Sequence, residues 1–351
     1  MRIVITGASG NIGTGLLRAL ARDEEEHRVV GVCRRLPEVA PPFDTAEWRC
    51  VDVGGPDAEE ELIDVFTGAD AVVHLAWAFQ PVRDTLHLHR TNHDGTAAVL
   101  RAVRAAGVPH LVHGSSIGVY AEGATEPVDE SWTSTGISTS VYGKSKAEAE
   151  RMIEGFAAKN PGVVVTSVRP TLVAQRRAAA SLIALFFDPI VPRVLIRFVQ
   201  SGRLPLLPLP AGFKVQLVHA DDVGDALVRI LRRRASGPFN LAADVLTIDD
   251  LAEVVKARPL PVPVGLVRGA VWLAWQLRAI RMSPGWFDVG SRTPLVLTNR
   301  AHDELGWAPR VSSAQAAAEQ LAGMADGTDD RSPVLRRDRM RTEPARAYPI
   351  T

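Results

Sequence analysis

The chain reads as an α/β protein built on a Rossmann-type doubly wound parallel sheet, with a smaller, discontinuous C-terminal substrate lobe. Three observations predict this. Short β-branched runs alternate with longer helical patterns through the first half, a glycine turn joins the first strand to the first helix, and prolines break the alternation after Pro170. A length of 351 residues accommodates one large α/β domain carrying a smaller one.

Taken in order, the apolar run Arg2–Thr6 is a strand ending at a glycine turn, and a helical stretch runs from Asn11 to Arg22. Strands follow at Arg28–Cys33 and Glu47–Val51, a helix at Glu59–Phe66, and a strand at Ala71–Leu75. Val82–Ala106 carries a long helical pattern closed by Gly107, a C-cap residue. Next come a strand at His110–Gly114, a helix at Val141–Ala158 and a strand at Val163–Arg169. Right-handed crossovers between such units give a parallel sheet that binds ligands at the carboxyl ends of its strands. Beyond Pro170, two proline clusters (205, 208, 210 and 259, 261, 263) flank a strand at Lys214–His219, a helix at Ala220–Arg233 and a short strand at Pro238–Leu241. The expected division is a dinucleotide-binding domain over residues 1–170, to which 214–242 returns. Residues 171–213 and 243–325 form the substrate lobe, and 326–351 a polar, Arg-rich flexible tail.

Lys plus Arg and Asp plus Glu balance at 40 each, so no basic excess points to a nucleic-acid partner. Two cysteines, Cys33 and Cys50, are too few for a disulfide framework and read as reduced core thiols. Met1-Arg2 runs at once into the first strand, which leaves no room for a signal peptide. Ser181–Gln200 and Gly265–Ile280 are apolar enough to raise the question of a membrane. Charges or prolines interrupt both well short of the roughly 20 apolar residues a span needs. A cytoplasmic protein with no membrane partner is expected.

Thr6-Gly7-Ala8-Ser9-Gly10-Asn11-Ile12-Gly13 follows a strand and opens a helix, the setting that a dinucleotide fingerprint requires. Glycines bring backbone close to a pyrophosphate, and the helix N-terminus offers N–H groups and the positive end of its dipole. A glycine-rich turn that only packs helix on sheet is the alternative. The second strand ends Val32-Cys33-Arg34-Arg35 with no carboxylate, which favours the 2′-phosphate of NADP over NAD. Asp52, after the third strand, is a candidate for the adenine amino group, or caps its own loop.

Tyr142-Gly143-Lys144-Ser145-Lys146 sits at a helix start, so Tyr142 and Lys146 share one helical face. A phenol with an ordinary pKa of about 10 exchanges protons poorly at neutral pH. A neighbouring ammonium and an oxidised nicotinamide bring it into range. Ser115 and Ser116 end the His110–Gly114 strand, and Ser116 is the chosen partner for the substrate oxygen.

Together these residues resemble the extended short-chain dehydrogenase/reductase family, also called the NAD-dependent epimerase/dehydratase family, over about residues 1–325. The resemblance rests on the loop at 6–13, Asp52-Val53, His74-Leu75-Ala76, Asn92 with Gly95-Thr96, and Ser115-Ser116-Ile117-Gly118-Val119-Tyr120. It continues through Tyr142 and Lys146, Arg169-Pro170, Val218-His219-Ala220-Asp221-Asp222-Val223, and Glu304-Leu305-Gly306-Trp307 with Pro309. It implies hydride transfer between a nicotinamide cofactor and a carbonyl or carbinol carbon, with Ser116, Tyr142 and Lys146 as the catalytic residues and Asn92 helping to hold the active-site helix. The implied cofactor contacts are Gly7, Ser9, Gly10, Asn11, Ile12 and Gly13, then Arg34, Arg35, Asp52 and Val53. Leu75, Ala76, Trp77, Tyr142, Lys146 and Arg169 complete them. A homodimer through the two long helices is typical of the family.

Sugar-nucleotide members continue Arg-Pro with an Asn and a Tyr-Gly-Pro-like stretch; here the chain runs Thr171-Leu172-Val173-Ala174-Gln175. The small-molecule substrate is therefore expected to be a small, possibly apolar carbonyl compound or secondary alcohol, with Trp77, Phe79, Thr171 and residues 181–200 as candidate pocket walls. A nucleotide-sugar epimerase or dehydratase that recycles its NAD is the alternative, and a non-catalytic cofactor sensor a further one. No metal is expected: His87, His89 and His93 lack a Cys or carboxylate to complete a site. His219 is read as structural, and Trp272 and Trp275 as lobe core or an oligomer contact.

Overall fold

The computed structural model describes residues 1–79, 85–186, 193–328 and 330–336. Along the chain come β1 (Arg2–Thr6), α1 (Asn11–Ala21), β2 (Arg28–Cys33), β3 (Glu47–Cys50), α2 (Ala58–Phe66) and β4 (Ala71–His74). Then α3 (Leu86–His89) runs through a π turn, Arg90–Asp94, into α4 (Gly95–Ala105), and β5 (His110–Gly114), α5 (Val141–Lys159) and β6 (Val164–Pro170) follow. After β6 come β7 (Leu172–Ala174), α6 (Ala179–Phe186), α7 (Arg193–Gln200), β8 (Leu206–Pro210), β9 (Lys214–His219), α8 (Ala220–Arg233) and β10 (Gly237–Leu241). The last elements are β11 (Val245–Thr247), α9 (Ile248–Val254), β12 (Arg258–Val262), α10 (Val264–Gln276), α11 (Pro284–Arg292), α12 (Asn299–Leu305) and α13 (Ser313–Asp326).

Seven parallel strands form the central sheet in the order β10-β6-β5-β4-β1-β2-β3. The winding reverses between β1 and β4, which opens a crevice at their carboxyl ends. Alternation along the strands divides the core. Ile3 and Ile5 face α1 and α8 with Leu16, Leu17, Leu227 and Trp307, whereas Val4 faces α2, α4 and α5 with Leu62, Val99 and Ile153. Both faces are covered, so the strands read as nearly continuous apolar runs.

Helix α8 crosses α1 at backbone contact. A Cβ on Gly15 would lie 2.1 Å from Ala220 O, and one on Gly224 would lie 2.4 Å from Gly15 O. This contact lays the second half of the chain against the first.

Several expectations are corrected. Lys214–His219 pairs with β7 and β11 in a separate three-stranded sheet; β10 is the strand that joins β6. The outer edge of β6 is occupied by β10, and β9 takes β7, the continuation of the chain past Thr171. In the long helix read over 82–106, residues 82–84 lie outside the described residues, and the rest is broken by the π turn. Cys33 is buried, which pushes its thiol up to about 11, but Cys50 is exposed. Trp272 is 48% exposed and so is not lobe core.

The C-terminal segment is also packed where a free tail was expected. Ser332 is fully buried and donates to Ser9 O at 2.6 Å, Leu335 is buried, and Arg331 O accepts from Glu38 N at 3.2 Å. Residues 337–351 lie outside the described residues.

Candidate active site

The crevice starts at the glycine loop. Gly7 has φ +73°, and a Cβ there would lie 2.6 Å from Ala76 N, so the loop lies directly on the end of β4. Thr6 O accepts from Leu75 N at 2.9 Å, which fixes Leu75 and Ala76 against the loop. Gly10 is the N-cap of α1, and no side chain caps that helix end. An open helix N-terminus behind a Cβ-free turn fits a pyrophosphate. Asn11 faces the second half of the chain, donating to Val173 O (2.9 Å) and accepting from Gln175 Nε2 (2.6 Å). Ile12 packs on the core, and Ser9 is buried under the C-terminal segment.

At the adenosine end, Arg34 and Arg35 are half-buried just beyond β2. Asp52 accepts from Gly54 N at 3.2 Å, which secures its own turn, and the Val53 side chain lies in the core.

Helix α5 carries the proposed chemistry. Ser140 caps it by accepting from Gly143 N at 3.1 Å, which places Tyr142 in the first turn and Lys146 one turn on. Burial pushes the Tyr142 phenol up to about 12, with the neighbouring Ser116 hydroxyl opposing the shift. A Cβ on Gly118 would lie 2.9 Å from Tyr142 Cε1, so the ring sits where only glycine leaves room.

Lys146 is buried, donates to Gly114 O at 2.7 Å, and lies 3.5 Å over the Trp77 ring. Desolvation brings it down to about 7, with Glu150 opposing the shift. An ammonium has three donors, and the site supplies one carbonyl and a π face. Its remaining hydrogen-bonding capacity suits the hydroxyls of a ribose. The nearby imidazoles of His74 and His113 are buried and held well below their usual range, largely by desolvation and secondarily by Lys146; His74 falls to about 3. They remain neutral at physiological pH.

Four aromatic rings cluster here, Tyr142 among them. Trp286 stacks on Tyr142 with centroids 4.7 Å apart, Phe79 meets Tyr142 edge-on at 5.4 Å, and Phe186 contacts Trp286 at 5.1 Å. Phe79 and residue 186 fall within the expected pocket wall. Trp286 was not foreseen, because it lies in α11 among residues with no motif. The Thr171 hydroxyl and Trp77 indole N–H are buried and find no hydrogen-bond partner among the described residues.

Two expected roles are redirected. Arg169 is buried in a bidentate pair with Glu150 (2.6 Å) and donates to the Tyr120 hydroxyl and Glu130 O, both at 2.9 Å. Burial pulls its pKa down, but the Glu150 carboxylate more than offsets this and holds it above the ordinary value. It ties β6 to α5, and its described bonds leave its guanidinium committed to protein groups. Asn92 accepts from Ala78 N (2.7 Å) and donates to Ala78 O (3.2 Å), so its amide braces the loop bearing Trp77 and Phe79, while the π turn that carries it packs against α5.

Asp94 stands beside His89 and His93, with their ligand atoms within 4.8 Å, so a carboxylate does join these histidines. The two imidazoles stack at 4.6 Å on the surface.

Known proteins resemble this chain in sequence and fold. A model of the "NAD dependent epimerase/dehydratase family" matches residues 3–242. The chain is 28% identical over 339 residues to "Ceramide reductase" of Caulobacter vibrioides, covering 93% of this chain and 91% of that protein. It is 27% identical over 342 residues to a "4-hydroxy-2-methyl-3-oxo-4-farnesyl-3,4-dihydroquinoline-1-oxide ketoreductase" of Stigmatella aurantiaca, covering 90% and 94%. A UDP-glucose-4-epimerase from Stenotrophomonas maltophila, solved with bound NAD, shares the fold at TM-score 0.68 and 21% identity, covering 93% of this chain and 98% of its own.

Proposed function

The chain belongs to the NAD dependent epimerase/dehydratase family, and from that premise we propose an NAD(P)-dependent oxidoreductase acting at a carbonyl or secondary alcohol of an apolar substrate. The observation that carries the substrate class is the aromatic wall at Tyr142, where Phe79 and Trp286 contact the ring and Phe186 packs against both of them. Such walls gain by excluding water from hydrocarbon and offer a diphosphate no cation. The relatives named for ceramide and for a farnesyl-bearing quinoline support the same class.

In this reading the bound nicotinamide supplies or accepts the hydride. Tyr142 gives its proton to the substrate oxygen during reduction, or takes it during oxidation, while Ser116 holds that oxygen by a hydrogen bond. Lys146 binds the ribose and, when charged, lowers the cost of the phenolate. Gly7, Gly10 and Gly13 hold the pyrophosphate at the start of α1. Arg34 and Arg35, beyond β2, favour NADP. The long helices of residues 86–105 and 141–159 are the proposed dimer surface, by analogy with the family.

Calorimetric titration with NADPH and NADH tests the cofactor, and turnover of long-chain ketones against UDP-glucose tests the substrate. Tighter NADPH and net consumption of reduced cofactor with the ketone are expected. Preference for NADH would sink the roles of Arg34 and Arg35. Epimerisation of UDP-glucose without net cofactor turnover would overturn the reductase reading.

A further inference from the structure

We propose that the outer face of α10, with the β8–β12 pair beside it, docks on the surface of an anionic lipid bilayer. The first observation is a segregation of charge. Acidic and basic residues balance at 40 each over the chain, yet residues 254–287 contain no Asp or Glu and carry Lys256, Arg258, Arg268, Arg278 and Arg281. Residues 189–220 likewise contain no acid and carry Arg193, Arg197, Arg203 and Lys214. The fold joins the two stretches: β8 pairs in parallel with β12 from Arg258↔Leu206 to Val262↔Pro210, and α10 begins two residues later, at Val264.

The second observation is what α10 leaves uncovered. None of its 13 residues is buried. Leu266, Ala270, Leu273 and Leu277 recur at helical spacing on one stripe, and all are exposed, Leu266 at 66% and Leu277 at 71%. Trp272 flanks the stripe, and Leu206 and Leu260 extend the exposed apolar surface onto the strand pair. The opposite face is anchored to the lobe, where Arg268 pairs with Asp288 of α11 at 2.8 and 3.0 Å. Folded soluble proteins rarely leave such a contiguous apolar face in water.

Length and charge select the occupant. A 13-residue helix is about 20 Å long, short of the roughly 30 Å hydrocarbon core. Among the described residues no helix is long and apolar enough to cross a membrane. An apolar stripe flanked by cations lies in the plane of the interface, leucines toward the acyl chains and Lys and Arg among the headgroups. Asp288 answers Arg268, but a second copy would bring the other cations of the two stretches together with no carboxylate in either stretch to answer them, whereas anionic headgroups answer them directly.

The chain links this face to the site. After α10 it reaches Met282, whose N–H donates to Phe186 O at 3.3 Å, and then α11, which carries Trp286 onto Tyr142. An apolar substrate dissolved in the bilayer would have a short path to the phenol. That delivery role rests on the apolar-substrate reading; the docking does not.

The test is flotation of the full chain with vesicles of phosphatidylcholine alone and of phosphatidylcholine with phosphatidylglycerol, without substrate or cofactor. Wild type is expected to float with the anionic vesicles and to be released by high salt. Leu266→Asp, Leu273→Asp and Leu277→Asp combined should lower partitioning at least about tenfold, with an unchanged melting midpoint. Should that variant fail to fold, Lys256→Glu with Arg278→Glu gives the same readout through charge. Failure of wild type to bind anionic vesicles, or equal binding by the folded variants, overturns the proposal. So does light scattering that shows a dimer abolished by the leucine substitutions, because a second copy would then cover the face. Ketone turnover in vesicle-free solution is read separately, so loss of docking and loss of the reductase reading are distinguishable.

Discussion

Lys146 has a pKa of about 7 in the folded protein and 10.5 as an ordinary side chain, because burial removes water that a π face and one carbonyl only partly replace. Below about 7 both folded and unfolded chains carry the proton, and the burial penalty acts in full. Between about 7 and 10.5 the unfolded chain holds a proton that the folded one has released, so stability rises with pH across that window. Lys146→Met should flatten this rise in thermal melts of the cofactor-free protein and weaken NADPH binding in calorimetry. Loss of binding with the pH-dependent rise intact would separate the two effects and contradict the assigned burial. Tyr142→Phe keeps the stacked ring but loses the hydroxyl, and should lower kcat by about 10²- to 10⁴-fold with the melting midpoint nearly unchanged. The placement of Tyr142 and Lys146 on one helical face and of Ser116 past a strand end was legible because those cues are local. Trp286 and the Glu150–Arg169 pair were not, since each depends on which distant element packs opposite.

At the scale of elements, the α1–α8 crossing holds the two halves of the molecule in register. Gly224→Ala would place a methyl 2.4 Å from Gly15 O. It should cost about 1–3 kcal/mol through overpacking, seen as a lower urea midpoint at constant slope. An unchanged midpoint would mean that the helices separate freely there. The strands and helices of the first half were readable because βαβ units carry their own periodicity. The pairing of β9 was not, since an apolar run does not specify which edge receives it. Asn92 shows the same limit: its place in the chain was evident, whereas the loop it braces is set by the π turn that aims its amide at Ala78.

Across the whole molecule, the first and last described segments meet at the glycine loop. Ser332 donates to Ser9 O, Arg336 pairs with Glu38, and Leu335 is buried. A chain ending at Gly327 should lose about 2 kcal/mol or more from the exposed leucine site alone, read as a fall in melting midpoint. No fall would show that the segment does not contribute to the core. Composition alone made this segment resemble a free arm, because a polar stretch has no periodicity and its partners lie at the opposite terminus. The sequence by itself determined the doubly wound fold, the glycine turn after β1 and the positions of the tyrosine and lysine, since hydrophobic period, glycine spacing and helical phase are properties of neighbouring residues. The aromatic walls around Tyr142, the commitment of Arg169 to Glu150, the packed C-terminal segment and the bare face of α10 were decided only by tertiary structure. Each depends on which surfaces, far apart in the chain, exclude water together and which are left facing it.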